Sequence, residues 1–212
     1  MSDRTAGGLL FLPVPVVLLL FTQQPFGLAA SLGAGVVLMV THRLYARPFA
    51  LARAPRRCLW CGGAAAGGPT LEVAEPLGTT AWRACGPAHG NALARVLSWA
   101  ELHARGLRVG ILGTLGLFLI GALLAGAGRL GRATVGDAVG FFRLGIAASV
   151  LPLGWLAARR PAEARERWTS PFPLHVQALI GTRAVLWLFR LIGLLWLAAG
   201  LWHLGRRLGG TP

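Results

Sequence analysis

The stretch RRCLWCGG at residues 56–63 decides the organisation of this chain, together with a second stretch, CGPAH, at residues 85–89. The two stretches hold all three cysteines of the protein and one histidine, at positions Cys58, Cys61, Cys85 and His89. Thiolate and imidazole are ligands that zinc prefers, and a closed tetrahedral zinc site needs four ligands. Glycines follow the first pair and allow the backbone to turn tightly around an ion. The sequence therefore predicts a structural Zn²⁺ site with these four residues as its ligands.

Two alternatives to this site stay open at the level of sequence. Water or His103 could complete the ligand set in place of His89, and the metal would then be labile or catalytic. The cysteines could also be buried thiols or a redox pair that binds no metal. An odd number of cysteines fits a metal site better than a framework of disulfides.

The residues between and after the two cysteine stretches have regular patterns. Residues 70–74 and 79–83 alternate apolar and polar side chains on either side of a Pro-Leu-Gly turn, which predicts a small β-hairpin. Residues 91–104 carry apolar side chains at helical spacing, which predicts an amphipathic helix.

The order of knuckle, hairpin and helix with a ligand in its first turn resembles the treble-clef and zinc-ribbon group of zinc-binding modules. The motifs that carry the resemblance are Cys58-x2-Cys61-Gly62 and Cys85-x3-His89, and it covers residues 58–104 of the 212. These modules usually end in Cys-x2-Cys, so the second half of this one departs from the pattern. A polar segment of this size has little core of its own, and a bound metal can supply its folding free energy. A folded module of this kind is expected to dock on another protein.

The remainder of the chain is predicted to lie in a membrane. Its composition is 55% hydrophobic, with long runs that carry no charge. We expect an all-α integral membrane protein with about five transmembrane helices, at residues 8–21, 26–40, 109–128, 139–158 and 184–204. The first two would form a hairpin around Pro25, although a cleaved signal peptide is an alternative for the first run. The domains are then an N-terminal hairpin at 1–42, a zinc-ribbon-like insertion at 43–108 and a three-helix region at 109–212.

Charge predicts the orientation of the insertion and its contacts. The net charge is +14, and the sequence contains arginine but no lysine. The missing lysine excludes Schiff-base and Walker-type phosphate chemistry. Most arginines fall on the side of the membrane that holds the amino terminus and the cysteine module. This bias predicts a protein of the bacterial inner membrane whose zinc domain is cytoplasmic. Anionic lipid headgroups are their expected partners, and nucleic acid is not.

Two arginines, Arg143 and Arg190, fall within the predicted spans. Charged residues in a span are costly and often functional, so both are candidates for contact with an anionic substrate or lipid, and Arg143 is close enough to a span end to reach the headgroups. No Asp or Glu falls within the predicted spans, which argues against a proton relay built on carboxylates.

The leading functional hypothesis is a non-enzymatic membrane scaffold, accessory subunit or assembly partner whose zinc module docks on another membrane or cytoplasmic protein. One alternative is a small transporter or channel-like protein in which Arg190 faces an anionic substrate. Another is a membrane-bound thiol redox or metal protein in which Cys58 and Cys61 cycle.

Overall fold

The structure is a computed structural model that describes residues 36, 37, 40–65, 67–76, 78–129, 132–159, 167–171 and 174–209. The span predicted at residues 8–21 and most of the span at 26–40 lie outside the described residues. The chain divides into two compact units, Met1–Leu102 with Leu156–Leu186 and His103–Trp155 with Trp187–Pro212. Each unit is described by itself.

The described elements are six α-helices and three β-strands, preceded by a π-helical turn at His42–Ala46. In chain order they are α1 (Arg47–Arg53), β1 (Thr70–Glu75), β2 (Gly78–Arg83), α2 (Pro87–Leu102), α3 (Ala104–Gly126), α4 (Arg132–Leu156), β3 (Arg167–Thr169), α5 (His175–Ile180) and α6 (Thr182–Leu208). A 3-10 turn at Ala54–Arg56 follows α1 and leads into the cysteine stretch.

The predicted hairpin is confirmed as β1 and β2. The two strands pair antiparallel, with Leu71 opposite Trp82 and Val73 opposite Thr80. Leu71, Val73 and Trp82 are buried, because alternate side chains of a strand point to the same face and this face is apolar. The amphipathic helix is confirmed as α2, which begins four residues earlier than its apolar pattern.

A third strand completes the sheet, which has the order β2-β1-β3. The sequence predicts a charged loop here, whereas the structure has β3 parallel to β1, with Trp168 opposite Val73. Three residues are too few for a period to be recognised, and parallel partners are always far apart in sequence. Trp168 is 3% exposed, so the contact adds a large aromatic side chain to the core.

The core of the first unit lies between the sheet, α2 and the cysteine stretch. Trp82 is fully buried in it, so this tryptophan belongs to the module's own core. Its Nε1 donates a 2.7 Å hydrogen bond to Oε1 of Glu75. The other carboxylate oxygen of Glu75 accepts a 2.7 Å hydrogen bond from the backbone N–H of Leu174. One carboxylate therefore joins the hairpin to the segment that precedes α5.

The second unit consists of long apolar helices, and the last of them, α6, begins in the first unit. Three candidate membrane spans, long and apolar enough to cross a bilayer, lie at Ala104–Gly121, Gly136–Leu156 and Thr182–Leu208. They overlap the last three predicted spans, at residues 109–128, 139–158 and 184–204, which supports the membrane class. Many of their large apolar side chains are exposed, as expected of surfaces that face lipid.

Small residues let these helices approach closely. A Cβ atom at Gly145 would lie 2.6 Å from Oγ1 of Thr114, and one at Gly193 would lie 2.7 Å from Cδ2 of Leu151. Aromatic rings fill wider gaps, with the centroids of Phe118 and Phe142 4.7 Å apart. The glycine-rich composition of the spans is therefore used for packing.

Candidate metal centre

The first two candidate ligands lie on a tight loop that follows the 3-10 turn. The N–H of Gly62 donates to the carbonyl of Cys58 at 2.8 Å, and the N–H of Gly63 points to Sγ of Cys61 at 3.4 Å. Gly62 has φ +70°, a conformation that favours glycine. The N–H of Cys58 closes the loop by donating to the carbonyl of Gly63 at 2.8 Å. We call residues 58–63 the ligand loop.

The second pair of candidate ligands is brought to the loop by the sheet. The N–H of Leu59 donates to the carbonyl of Arg83 at 2.8 Å, which holds the end of β2 beside the ligand loop. Cys85 follows β2 by two residues, and α2 begins at Pro87, a residue suited to the first helical position. His89 is in the first turn of α2, four residues after Cys85, so both side chains face the loop.

The four ligand atoms all lie within 4.8 Å of one another. Sγ of Cys61 is 3.9 Å from Sγ of Cys85, and Sγ of Cys58 is 3.6 Å from Nδ1 of His89. In a tetrahedral site with Zn–S bonds of about 2.3 Å, two sulfurs lie about 3.8 Å apart and a sulfur and a nitrogen about 3.5 Å apart. Sγ of Cys85 and Nδ1 of His89 are closer, at 2.8 Å. The cluster could therefore hold a metal ion after small side-chain movements.

The cluster is buried on one side and open on the other. Cys58 is fully buried, Cys61 and His89 are half-buried, and Cys85 is exposed. All three cysteines are free thiols. Solvent therefore reaches the cluster from the side of Cys85, whereas the side of Cys58 is shielded.

Backbone hydrogen bonds favour the thiolate form of Cys58. Burial acts to raise the pKa of its thiol, but hydrogen bonds from the backbone of Cys61 and Cys85 and from the side chain of His89 outweigh it and lower the pKa to about 7. A thiolate is the form that binds metal, so Cys58 is prepared for this role near neutral pH.

The pKa of Cys85 is shifted in the opposite direction. The pKa of its thiol is raised to about 11 by local desolvation and by the hydrogen bonds and charges of Cys58 and Cys61. We ascribe the greater share to the neighbouring sulfurs, because the side chain of Cys85 is exposed and loses little hydration. Two thiolates this close repel each other unless a cation lies between them, so a metal ion would replace protons in the cluster.

Of the two histidines considered for the fourth position, the structure brings His89 to the cysteines. Among the described residues, the side chains that lie close enough to share a metal ion are the three cysteines and His89. His103 is not part of this group. Four protein atoms then fill a tetrahedral shell, the arrangement typical of a structural site with no open position for a substrate.

The start of α6 adjoins the ligand loop, a relationship that the sequence analysis missed. The N–H groups of Thr182 and Arg183 donate to the carbonyls of Leu59 and Trp60, at 2.7 and 3.0 Å. A Gly-Thr pair before a long apolar run is a helix-start signal, and it could have indicated the boundary at Thr182. Nothing in the local sequence indicates which carbonyls accept these hydrogen bonds.

Arg190 has partners within the second unit. Its Nε donates a 2.7 Å hydrogen bond to the carbonyl of Gly154. This carbonyl is one of the last in α4, for which the helix itself provides no N–H donor. Its guanidinium carbon lies 4.8 Å from the ring centroid of Trp155 and 4.7 Å from that of Trp187. These contacts account for a half-buried arginine in an apolar helix. The predicted contact of Arg190 or of the half-buried Arg143 with an anion or lipid stays a prediction.

The expectation that no carboxylate falls inside a span is wrong. Helix α4 begins at Arg132 instead of near residue 139, so Asp137 lies within the candidate span Gly136–Leu156. The carboxylate of Asp137 is 3.3 Å from Nε2 of His203 and 3.0 Å from Nε of Arg207. These groups line one end of a cavity of about 360 Å³ between α4 and α6. An interhelical ion pair at a helix end explains the arrangement.

Comparison with protein-family models, with curated proteins and with solved structures finds no match for this chain.

Proposed function

We propose that this protein is a non-enzymatic membrane scaffold or accessory subunit whose extramembrane module is held together by a structural Zn²⁺ ion. The observation that carries the proposal is the Cys3His cluster, in which four ligand atoms from two separate stretches lie within 4.8 Å of one another. Zinc fits this donor set best, because zinc prefers thiolate and imidazole ligands and is typically four-coordinate in structural sites.

A structural role fits the position of the cluster better than a catalytic one. The ligands connect the loop after α1, the end of β2 and the start of α2, so an ion there would cross-link three elements of a small core. Zinc-ribbon-like modules use metal in this way, and the knuckle, hairpin and helix of this unit follow the same order. The parallel strand β3 is an addition that this chain supplies from a distant segment.

The proposed setting is a membrane with the module on the cytoplasmic side. Three apolar helices of membrane length support the anchoring, and the arginine distribution supports the side. The exposed arginines of the module would contact anionic lipid headgroups, and the docking partner would be another membrane or cytoplasmic protein. The contacts of Arg190 need no external anion, which makes the transporter alternative less economical.

Metal analysis of the full chain in mild detergent tests the first half of the proposal. We expect one Zn²⁺ per chain, replaceable by Co²⁺ with the visible absorption of a tetrahedral thiolate complex. Cys58→Ser should lose the ion, and Gly205→Ala, a change in open space on α6, should keep it. A wild-type chain that binds no Zn²⁺ under reducing conditions contradicts the structural-zinc role.

Cross-linking in native membranes, followed by purification in mild detergent, tests the docking role. We expect a stoichiometric protein partner with wild-type chain and its loss with Cys58→Ser, while Gly205→Ala retains it. A zinc-loaded chain that is recovered only as a single species, with no cross-linked neighbour, would refute the accessory-subunit role and leave the zinc site intact.

A further inference from the structure

We propose that metal occupancy of the Cys3His cluster controls the first turn of α6, because the ligand loop is the N-terminal cap of that helix. This inference rests on the proposed function, since it requires the cluster to bind a metal ion. It assigns to the cluster a regulatory effect on one of the three candidate spans, in addition to holding the module together.

The first observation is the set of partners for the helix start. An α-helix leaves its first N–H groups without acceptors inside the helix. In α6, the N–H of Thr182 donates to the carbonyl of Leu59 at 2.7 Å, and the N–H of Arg183 donates to the carbonyl of Trp60 at 3.0 Å. The hydroxyl of Thr182 lies 3.0 Å from the same Leu59 carbonyl. Both acceptors belong to the residues between the first two metal ligands.

The second observation is that the contact joins backbone to backbone. Gly181 has φ +91°, and a Cβ atom there would lie 2.7 Å from the carbonyl carbon of Cys61 and 2.8 Å from the nitrogen of Gly62. A Cβ atom at Gly62 would in turn lie 3.0 Å from the backbone of Ile180. No flexible side chain separates the loop from the helix, so a change in the loop backbone displaces the acceptors of α6 directly.

The third observation is burial. Leu59 is 1% exposed and Thr182 is 2% exposed, so water does not reach the hydrogen bond between these two residues in the folded unit. A buried N–H that loses its acceptor is strongly unfavourable. Rearrangement of the ligand loop would therefore oblige the first turn of α6 to open until solvent can replace the lost acceptors.

The exposure of Cys85 makes such a change accessible without global unfolding. A chelator or a competing ion can reach the cluster from that side, whereas Leu59, which supplies the acceptor for Thr182, is buried. Loading the cluster orders the loop and caps the helix, and removing the ion releases both. Because coupling between two equilibria is reciprocal, disturbing the cap should also weaken metal binding.

Amide hydrogen exchange on the full chain in detergent micelles, with saturating Zn²⁺ or with EDTA, tests the effect of metal on the helix. We expect the amides of Thr182 and Arg183 to exchange at least about tenfold faster without Zn²⁺, the effect of losing about one hydrogen bond. Amides at residues 194–197, in the middle of the same helix, should change little. If the chain binds one Zn²⁺ and the two amides exchange equally fast in both states, this inference is wrong and the structural zinc site stands. If the chain binds no Zn²⁺, the proposed function fails and the inference fails with it.

Zn²⁺ affinity, measured by competition with a chromophoric chelator, tests the reverse direction. Gly181→Ala changes no ligand but inserts a Cβ atom against the loop, and we expect about tenfold weaker binding or more. Thr182→Val is a milder change, for which we expect binding about threefold to tenfold weaker. Gly205→Ala, in open space on α6, is the matched control and should bind as wild type. Circular dichroism identifies a variant that has lost its fold, and wild-type affinity in folded Thr182→Val and Gly181→Ala proteins would overturn the inference.

Discussion

Sγ of Cys58 and Nδ1 of His89 lie 3.6 Å apart, although 31 residues separate them in the chain. Cys58 is at the end of the segment that follows α1, and His89 is in the first turn of α2. The sheet between them brings these two positions together, because the N–H of Leu59 is hydrogen-bonded to the end of β2. A metal ion bound by these two residues is therefore expected to stabilise the folded first unit.

Replacing His89 should weaken metal binding far more than replacing His103. The free energy of a structural zinc site, about 10–16 kcal/mol in small peptides, divides among four ligands, so His89→Gln should weaken Zn²⁺ binding about 10²-fold to 10³-fold. His103→Gln is the matched control and should bind Zn²⁺ like wild type, because His103 lies outside the cluster. Chelator competition in detergent gives both affinities, and the reverse ranking would assign the fourth ligand to His103.

The zinc-free chain should be most stable near pH 9. The pKa of Cys58 is lowered from 9.0 to about 7 by folding, so its stabilising contribution is present above pH 9 and is lost as pH falls toward 7. The pKa of Cys85 is raised from 9.0 to about 11, so its contribution is present below pH 9 and is lost as pH rises toward 11. Thermal unfolding with EDTA and a reductant, followed from pH 7 to pH 11, measures the curve.

Serine variants separate the two limbs of this curve. Cys58→Ser should abolish the rise in the unfolding midpoint between pH 7 and pH 9, and it should also reduce the decline above pH 9, because the Cys58 sulfur helps to raise the pKa of Cys85. Cys85→Ser should abolish the decline and keep the rise, because backbone hydrogen bonds and His89 lower the pKa of Cys58. A wild-type midpoint that falls steadily from pH 7 upward would be incompatible with a lowered pKa at Cys58.

Glu75→Gln should destabilise the first unit more than Glu72→Gln, although both glutamates lie in β1. Glu75 accepts hydrogen bonds from Trp82 and Leu174, and an amide in its place presents a donor to one of them, at a cost of about 1–3 kcal/mol. Glu72 forms a 3.7 Å ion pair with Arg167 in which both side chains are more than half exposed, worth about 0–1 kcal/mol. Denaturant unfolding of the zinc-loaded chain compares them, and equal effects would argue that the Glu75 contacts contribute little.

Arg190→Gln should lower the thermal stability of the chain in detergent. The change removes the hydrogen bond to the Gly154 carbonyl and the stacking on Trp155 and Trp187, together worth about 1–3 kcal/mol. Arg190→Lys keeps the charge but loses the planar group, so its stability should lie between those of Arg190→Gln and wild type. If the stability is unchanged and binding of anionic lipid to nanodisc-embedded protein is lost, Arg190 acts on an external anion instead.

Local patterns in the sequence identified most elements correctly. The alternation at residues 70–83 predicted the hairpin, the helical spacing at 91–104 predicted α2, and the last three apolar runs overlap the candidate spans. These predictions succeeded because each depends on the polarity of neighbouring residues at a fixed period. The spacing of Cys58, Cys61, Cys85 and His89 likewise indicated which side chains would converge.

Features made by distant segments were missed. Strand β3 is three residues long and takes its stability from pairing with β1, so it has no period of its own to be recognised. Asp137 falls just before the predicted span at residues 139–158, whereas the structure begins the helix at Arg132, and the partners of Asp137, His203 and Arg207, are contributed by another helix. In both cases the feature depends on a partner that lies far away in the chain, which a local sequence pattern does not reveal.

By itself, the sequence determined the apolar helices, the hairpin and the four residues able to bind a metal, since each follows from local chemistry and spacing. Only the tertiary structure decided that the carbonyls of the ligand loop accept the first N–H groups of α6. A carbonyl has the same chemistry at every residue, so its partner is chosen by where the fold places two backbones, here by two glycines that leave no side chain between them.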